Sequence, residues 1–211
     1  MTLNSSKSFI TQIMQFLVLD TEYTSWEGAA ARNWSAPGEF KELVQLSSIK
    51  ISDLRTFHDS RFFSLYTKPT RNKQLSNYFV DLTGISQSTI NTLGVPIDEA
   101  IDCFGDFSKG IHCFSWDNDI EILEENIRLL DNGKSLQIKK HTDIRLLFQF
   151  FGFDCSQNCS SDISSMVPGQ SPVLPGNGHN ALSDCISLLS ATHKLGQIYG
   201  FDHVEEVMTQ I

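Results

Sequence analysis

The feature that most narrows the fold is Phe16-Leu-Val-Leu19, an unbroken apolar run that stops at Asp20 and is followed by Glu22. A run of this length reads as a buried strand. Residues two apart on a strand point to the same face, so Asp20 and Glu22 project together from its end. Two like charges held that close repel, and a divalent cation relieves the repulsion. A pair of solvated acids at a strand end has the same signature, so the pair needs support from elsewhere in the chain.

The rest of the chain supplies a frame. Leu43–Ile51 partly alternates and reads as a second strand, and Phe57–Thr67 reads as a third, closing at Lys68-Pro69. Together these three predict an antiparallel meander. The pattern then turns helical. A short helix is expected over Ser86–Leu93, ended by Gly94, and Pro96 opens another with Ile97, Ala100, Ile101, Phe104 and Phe107 at helical spacing. Gly110–Trp116 reads as a short strand. Asn118 caps a helix carrying Ile120, Leu123, Ile127 and Leu130 on one face and stopped by Gly133. Ile144–Phe151, Asn180–Gly196 and Asp202–Gln210 read as helices. Residues 154–178, rich in Ser, Asn, Pro and Gly, read as a long loop with at most one turn of helix. Strands first, then helices interleaved with further strands, predict an α/β fold with a mixed sheet.

Length and charge bound the function. The 211 residues fit one domain, expected over 15–211 behind a polar tail at 1–14. With 16 basic and 25 acidic side chains the net charge is −9, which argues against a protein that coats duplexes nonspecifically. An acidic protein can still act on a phosphate chain if a divalent metal supplies the positive charge. No run of about eighteen apolar residues exists, so no membrane partner is expected. Ile10–Leu19 is interrupted by Thr11, Gln12 and Gln15, which argues against a signal peptide. The cysteines, at 103, 113, 155, 159 and 185, are odd in number and lack framework spacing, so reduced thiols and a cytoplasmic location are expected.

Two more groups could carry chemistry. Asp117 and Asp119 follow the strand Gly110–Trp116 and open a helix, where the dipole alone would favour acids. Asp119 is the better candidate to face Asp20 because it directly precedes the apolar helix face, with Asp117 the alternative. His179 and Asp184 lie at the start of the helix over 180–196, behind a Gly-rich approach that lets the backbone come close to a site. Asp184 sits beside Ala181 and Leu188 near the packed side, where a charge needs a partner such as a metal.

In chain order these residues read Asp-x-Glu on a strand, Asp at a strand-to-helix junction, and His-x-x-x-x-Asp at a helix start. That constellation resembles the DEDDh-type 3′–5′ exonucleases, nucleases of the ribonuclease H-like superfamily with a DnaQ-like exonuclease domain. Leu19-Asp-Thr-Glu22, Glu42-Leu-Val-Gln-Leu-Ser47, Tyr66-Thr-Lys-Pro69, Leu82-Thr-Gly-Ile85 and His179-Asn-Ala-Leu-Ser-Asp184 carry the resemblance, which extends over roughly residues 15–198. It implies a ribonuclease H-like fold whose mixed central sheet is flanked by helices. It also implies the removal of 5′-mononucleotides from a nucleic acid with a free 3′ end, single-stranded or short, RNA or DNA.

By the same resemblance Asp20, Glu22, Asp119 and Asp184 hold two ions, Mg²⁺ or Mn²⁺, about 4 Å apart. Hard ions suit all-carboxylate ligands. Asp20 would touch both ions, Glu22 and Asp184 the one that activates water, and Asp119 the other. His179 would take the proton from the attacking water. Thr21, Tyr23, Leu82 and Thr83 would meet the terminal nucleotide, and a homodimer is an expected partner state. Two stretches depart from the family pattern, the long aromatic segment 23–41 with Trp26 and Trp34, and the Ser/Pro-rich 154–178. Lys68, Arg71 and Lys73 form a basic cluster that could touch phosphates or merely be solvated. The competing reading is a catalytically inactive nuclease fold kept as a nucleic-acid or protein binding module, and the presence of all five core residues argues against it.

Overall fold

The computed structural model describes residues 15–130, 133, 135, 136, 138–172 and 178–211. The expected tail at 1–14, residues 131 and 132 before the expected helix stop at Gly133, and residues 173–177 ahead of His179 lie outside the described residues. The apolar run forms β1 (Phe16–Tyr23), with Phe16 through Leu19 essentially inaccessible to solvent. The second strand, β2 (Leu43–Ile51), pairs with it antiparallel, and β3 (Arg61–Tyr66) pairs antiparallel with β2. On the other side of β1 lie β4 (His112–Ser115) and β5 (Lys140–Asp143), both parallel to their neighbours. The five-stranded order is β3-β2-β1-β4-β5, a mixed sheet. The third strand is shorter than its sequence suggests. Residues 57–60 turn instead, with Phe57 and Asp59 in the left-handed region, and pairing starts at Arg61.

Helices cover both faces. Along the chain these are α1 (Asn77–Thr83), α2 (Gln87–Leu93), α3 (Ile97–Ser108), α4 (Asp119–Leu130), α5 (Arg145–Phe150), α6 (Ile163–Met166), α7 (Ala181–Tyr199) and α8 (Phe201–Gln210). The strand alternation sorts β1 between two cores. Phe16 and Val18 pack with Phe148, Leu188, Leu195 and Val204 of α5, α7 and α8. Leu17 and Leu19 pack with Phe104 of α3 and Ile120 and Leu123 of α4. Each buried Leu, Val or Phe stabilises the fold by about 1.5–3 kcal/mol, so both helical layers are held firmly against this strand.

The same alternation then aims the residues that follow. Asp20 and Glu22 continue the Val18 side, toward α7, and Thr21 continues the Leu19 side, toward α4. The long helix α7 lies across β1 and β2 with Asp184, Cys185, Leu188, Ala191, Thr192 and Leu195 buried. It turns into α8 at a tight crossing, where a Cβ on Gly196 would meet the Phe201 ring at 2.3 Å. No helix among the described residues is long and apolar enough to cross a membrane.

Candidate active site

At the end of β1 the sheet opens into a cleft of about 370 Å³. Asp20, Glu22, Asp119, Asp184 and His179 all line it, although they come from three segments far apart in sequence. Asp20, Asp119 and Asp184 are each at most 6% exposed. One carboxylate oxygen each from Asp20, Glu22 and Asp184 can be chosen so that all lie within 4.8 Å of one another. Asp119 is not one of this trio, and its Oδ1 is engaged. It accepts from the Thr21 backbone N–H at 2.9 Å and from the Thr21 hydroxyl at 2.6 Å. The Asp117 alternative also lines the cleft, but it is exposed and paired at 2.6 Å with Arg145, which also grips Asp143.

Local backbone geometry sets these directions. Asp117 and His179 both adopt left-handed φ, 58° and 57°. For a non-glycine residue this is an uncommon conformation that clusters at functional sites. Each residue precedes the helix that presents an acid, Asp119 at the first position of α4 and Asp184 in the first turn of α7. Two capping contacts fix α7. The Asn180 side chain accepts from the Ser183 N–H, and Gln45 of β2 accepts from the Ala181 N–H at 3.1 Å. Gln45 is buried, so β2 ties down the start of the helix that bears His179 and Asp184.

Burial and crowding dominate the electrostatics. Burial, then the charges of Asp119, Asp184 and Glu22, hold the Asp20 carboxyl well above the usual range. Burial, then the charges of Asp184 and Asp119, push Glu22 to about 8, and burial, with a smaller push from Asp162, raises Asp184 to about 6. Asp119 is pushed to about 7 by burial, against the two bonds from Thr21 that favour its charged form. The Ser160 hydroxyl favours the ionised forms of Asp20 and Asp184, and the His179 backbone N–H also favours ionised Asp184. Even so, Asp184 Oδ1 is buried with no hydrogen-bond partner among the described residues. An orphaned carboxylate oxygen beside two more carboxylates is the donor set a hard divalent cation requires, so the residues present fit the expected metal.

The other sequence candidates divide. Tyr23 and Leu82 line the cleft, Tyr23 against the Trp34 ring at 5.4 Å between centroids. Burial and the surrounding acids raise the Tyr23 phenol, keeping it neutral. Thr21 lines the cleft but gives both its donors to Asp119. Thr83 does not belong to the lining. Its hydroxyl donates to Phe79 O and accepts from Ile85 N–H, closing α1 where Gly84 turns left-handed. Sequence reasoning missed Ser160, Tyr78 and Trp116 as cleft residues. Trp116 carried a signal, since it sits between the strand and the acids that follow, whereas Ser160 lies in a stretch without periodicity.

Comparison with known proteins assigns this fold and cleft to a class of nucleases. The family model for exonucleases, RNase_T, matches residues 17–192. The chain therefore belongs to that exonuclease family. Among curated proteins, the 3'-5' exonuclease Snipper of Drosophila melanogaster is 29% identical over 105 residues. The match takes in 49% of this chain and only 35% of Snipper. The nuclease domain of 3'hExo, a DEDDh family member bound to rAMP, superposes with a TM-score of 0.71 at 19% identity, over 89% of this chain and 94% of that one. A 3'-exonuclease recognising the histone mRNA stem-loop gives 0.70 at 18% identity, over 89% and 65%. The E. coli ExoI–ssDNA complex gives 0.62 at 15% identity, over 91% and 43%. At such identities these structures share the fold, a mixed sheet flanked by helices.

Proposed function

We propose that this protein is a metal-dependent 3′–5′ exonuclease that hydrolyses phosphodiester bonds at the 3′ end of single-stranded or short nucleic acid. The observation that carries the reading is the orphaned Asp184 Oδ1, buried beside Asp20 and Glu22, which burial and the neighbouring acids make reluctant to ionise. Among the described residues no Lys or Arg pairs with that carboxylate, and divalent cations would compensate its charge. Asp20, Glu22 and Asp184 would hold one ion, and the free oxygen of Asp119, with Asp20, a second, Mg²⁺ or Mn²⁺ in both places. Ions there supply Lewis-acid charge at the scissile phosphate.

The chain's own groups do the rest. His179 is exposed at the cleft rim, where a ring nitrogen can take the proton from a water attacking phosphorus. The 3′ oxygen of the penultimate nucleotide leaves, and the released nucleotide keeps a 5′ phosphate. Thr21 works by fixing one oxygen of Asp119, which leaves the other free to bind a cation. Tyr23, Leu82 and Trp34 form an apolar and aromatic wall suited to a terminal base, and such stacking tolerates any sequence. The five free cysteines suit a reducing compartment such as the cytoplasm.

The test is product analysis. Incubation of a short oligonucleotide with Mg²⁺ should release 5′-mononucleotides and no nucleoside 3′-phosphates. Release of internal fragments first, or of 3′-phosphorylated products, would contradict the proposal.

A further inference from the structure

Among the described residues the cleft lining contains five acids and not one Lys or Arg. Ions held by the carboxylates can neutralise the scissile phosphate, but the phosphates upstream would face a chain of net charge −9. Cations nevertheless gather at the same end of the sheet. The end of β1 pairs with the start of β2, Tyr23 opposite Leu43, and the end of β3 lies opposite Gln45. Lys41 therefore enters the sheet, and Lys68, Arg71 and Lys73 leave it, beside the carboxylates.

A buried acid joins these segments. Glu42 is 1% exposed, and its carboxylate accepts from the backbone N–H groups of Thr70 at 2.8 Å and Arg71 at 2.9 Å, and from that of Asn72. Asn72 also donates to Gly38 O at 2.7 Å. The arrangement sets the Arg71 guanidinium 4.5 Å over the Phe40 ring and the Lys41 ammonium 4.7 Å over Trp34, itself a wall of the cleft. Among the described residues none of Lys41, Lys68, Arg71 and Lys73 forms an ion pair, whereas nearby Arg32 is neutralised by Glu39. Lys68, Arg71 and Lys73 are exposed. Uncompensated cations alternating with aromatic rings are what a single strand needs, charge for its phosphates and flat surfaces for its bases.

We propose that Lys41, Lys68, Arg71 and Lys73, with the Trp34 and Phe40 rings, form a track that binds the single-stranded backbone upstream of the 3′ end. This rests on the exonuclease reading and names how that site takes hold of its substrate.

The test compares the triple variant Lys68→Gln, Arg71→Gln, Lys73→Gln with a charge-matched control, Arg61→Gln, Lys109→Gln, Lys139→Gln, whose sites open β3 or lie just before β4 and β5, at the opposite end of the sheet. Binding of labelled single-stranded 12-mers of dT and U is read by fluorescence anisotropy in Ca²⁺ over a salt series. Each lost phosphate contact lowers the slope of log K against log salt by about 0.7, so the track variant should lose about 2 units of slope and bind about tenfold more weakly at moderate salt. The control should match the wild type. Equal affinity and slope in the two variants would overturn the track.

Hydrolysis of thymidine 5′-(p-nitrophenyl phosphate), too short to reach the track, separates the two claims. The track variant should cleave it at the wild-type rate. If the wild type cleaved neither ester nor 12-mer while the slopes still differed, the catalytic reading would fall and the track would stand.

Discussion

Replacing Asp184 by Asn should make the metal-free protein more stable and the metal-bound protein less so. Asp184 is 4% exposed, and its carboxyl is pushed from 3.8 to about 6, chiefly by burial. A shift of about two pH units corresponds to roughly 3 kcal/mol of penalty on the charged form. Asp20 and Glu22 share the same protons, so a gain of about 1–3 kcal/mol is the reasonable expectation for removing this one charge.

The pH dependence follows from the direction of the shifts. Folded carboxyls with raised values keep protons that the unfolded chain has already lost. Metal-free stability should therefore fall as pH rises from the unfolded values of 3.8 and 4.5 through the folded ones, about 6 for Asp184, about 7 for Asp119 and about 8 for Glu22, and then level off. For a chain of this size 1 kcal/mol moves Tm by about 2–4 °C, so Asp184→Asn should melt about 2–12 °C above wild type in EDTA at pH 8 and near it at pH 4. Mn²⁺ at a hundred times its Kd would add about 2.7 kcal/mol to the wild type and much less to the variant. Melting curves by circular dichroism at both pH values, with EDTA and with Mn²⁺, give the answer. A variant that melts below wild type in EDTA at pH 8, or that gains as much from Mn²⁺, would refute the reasoning.

Other outcomes are equally open to measurement. His179→Ala should lose about 10²–10⁴-fold in turnover while Mn²⁺ binding by calorimetry stays unchanged, and a wild-type rate would remove His179 as the base. Thr21→Val deletes the 2.6 Å bond to Asp119 and should weaken Mn²⁺ binding at a cost of about 1.5–3 kcal/mol, with Thr21→Ser restoring it. Unaltered affinity in the valine variant would show that Asp119 does not depend on that hydroxyl. Trp34 lines the cleft against Tyr23, so a short oligonucleotide should quench tryptophan emission, and Trp34→Phe should remove much of the quenching. Identical quenching in the two proteins would place the base elsewhere.

What the sequence disclosed depended on how much of each signal was local. The apolar run before Asp20 and the 3.6-residue spacing after Asn180 are each visible in one window, and both became the elements that aim Asp20, Glu22 and Asp184. The helix starts at Ser86 and Pro96 were legible because their caps and breakers are adjacent. Other elements gave no such signal. The strand β5, Lys-His-Thr-Asp, buries only Thr142 and forms because β4 offers it a parallel edge. The helix α1 is two turns long, with its apolar residues bunched at 79, 80 and 82, and is fixed by the Ser76 cap and left-handed Gly84.

The site divides along the same line. The acids and the histidine follow from motif spacing, because side-chain direction on a strand or helix is periodic. The clamp of Thr21 on Asp119 spans 98 residues, and the tie from Gln45 to Ala181 spans 136, so only tertiary packing reveals them. Ser160 reaches Asp20 and Asp184 from a segment with no periodicity to read.

The most direct test of the central claim is a time course on 5′-labelled single-stranded RNA and DNA with Mg²⁺, with Mn²⁺ and with chelator, beside the Asp20→Ala protein. The account predicts a metal-dependent ladder shortening one nucleotide at a time from the 3′ end, abolished by chelator and absent in the variant. A ladder that survives chelator or the loss of Asp20, or intact oligonucleotide that is bound but never shortened, would contradict it.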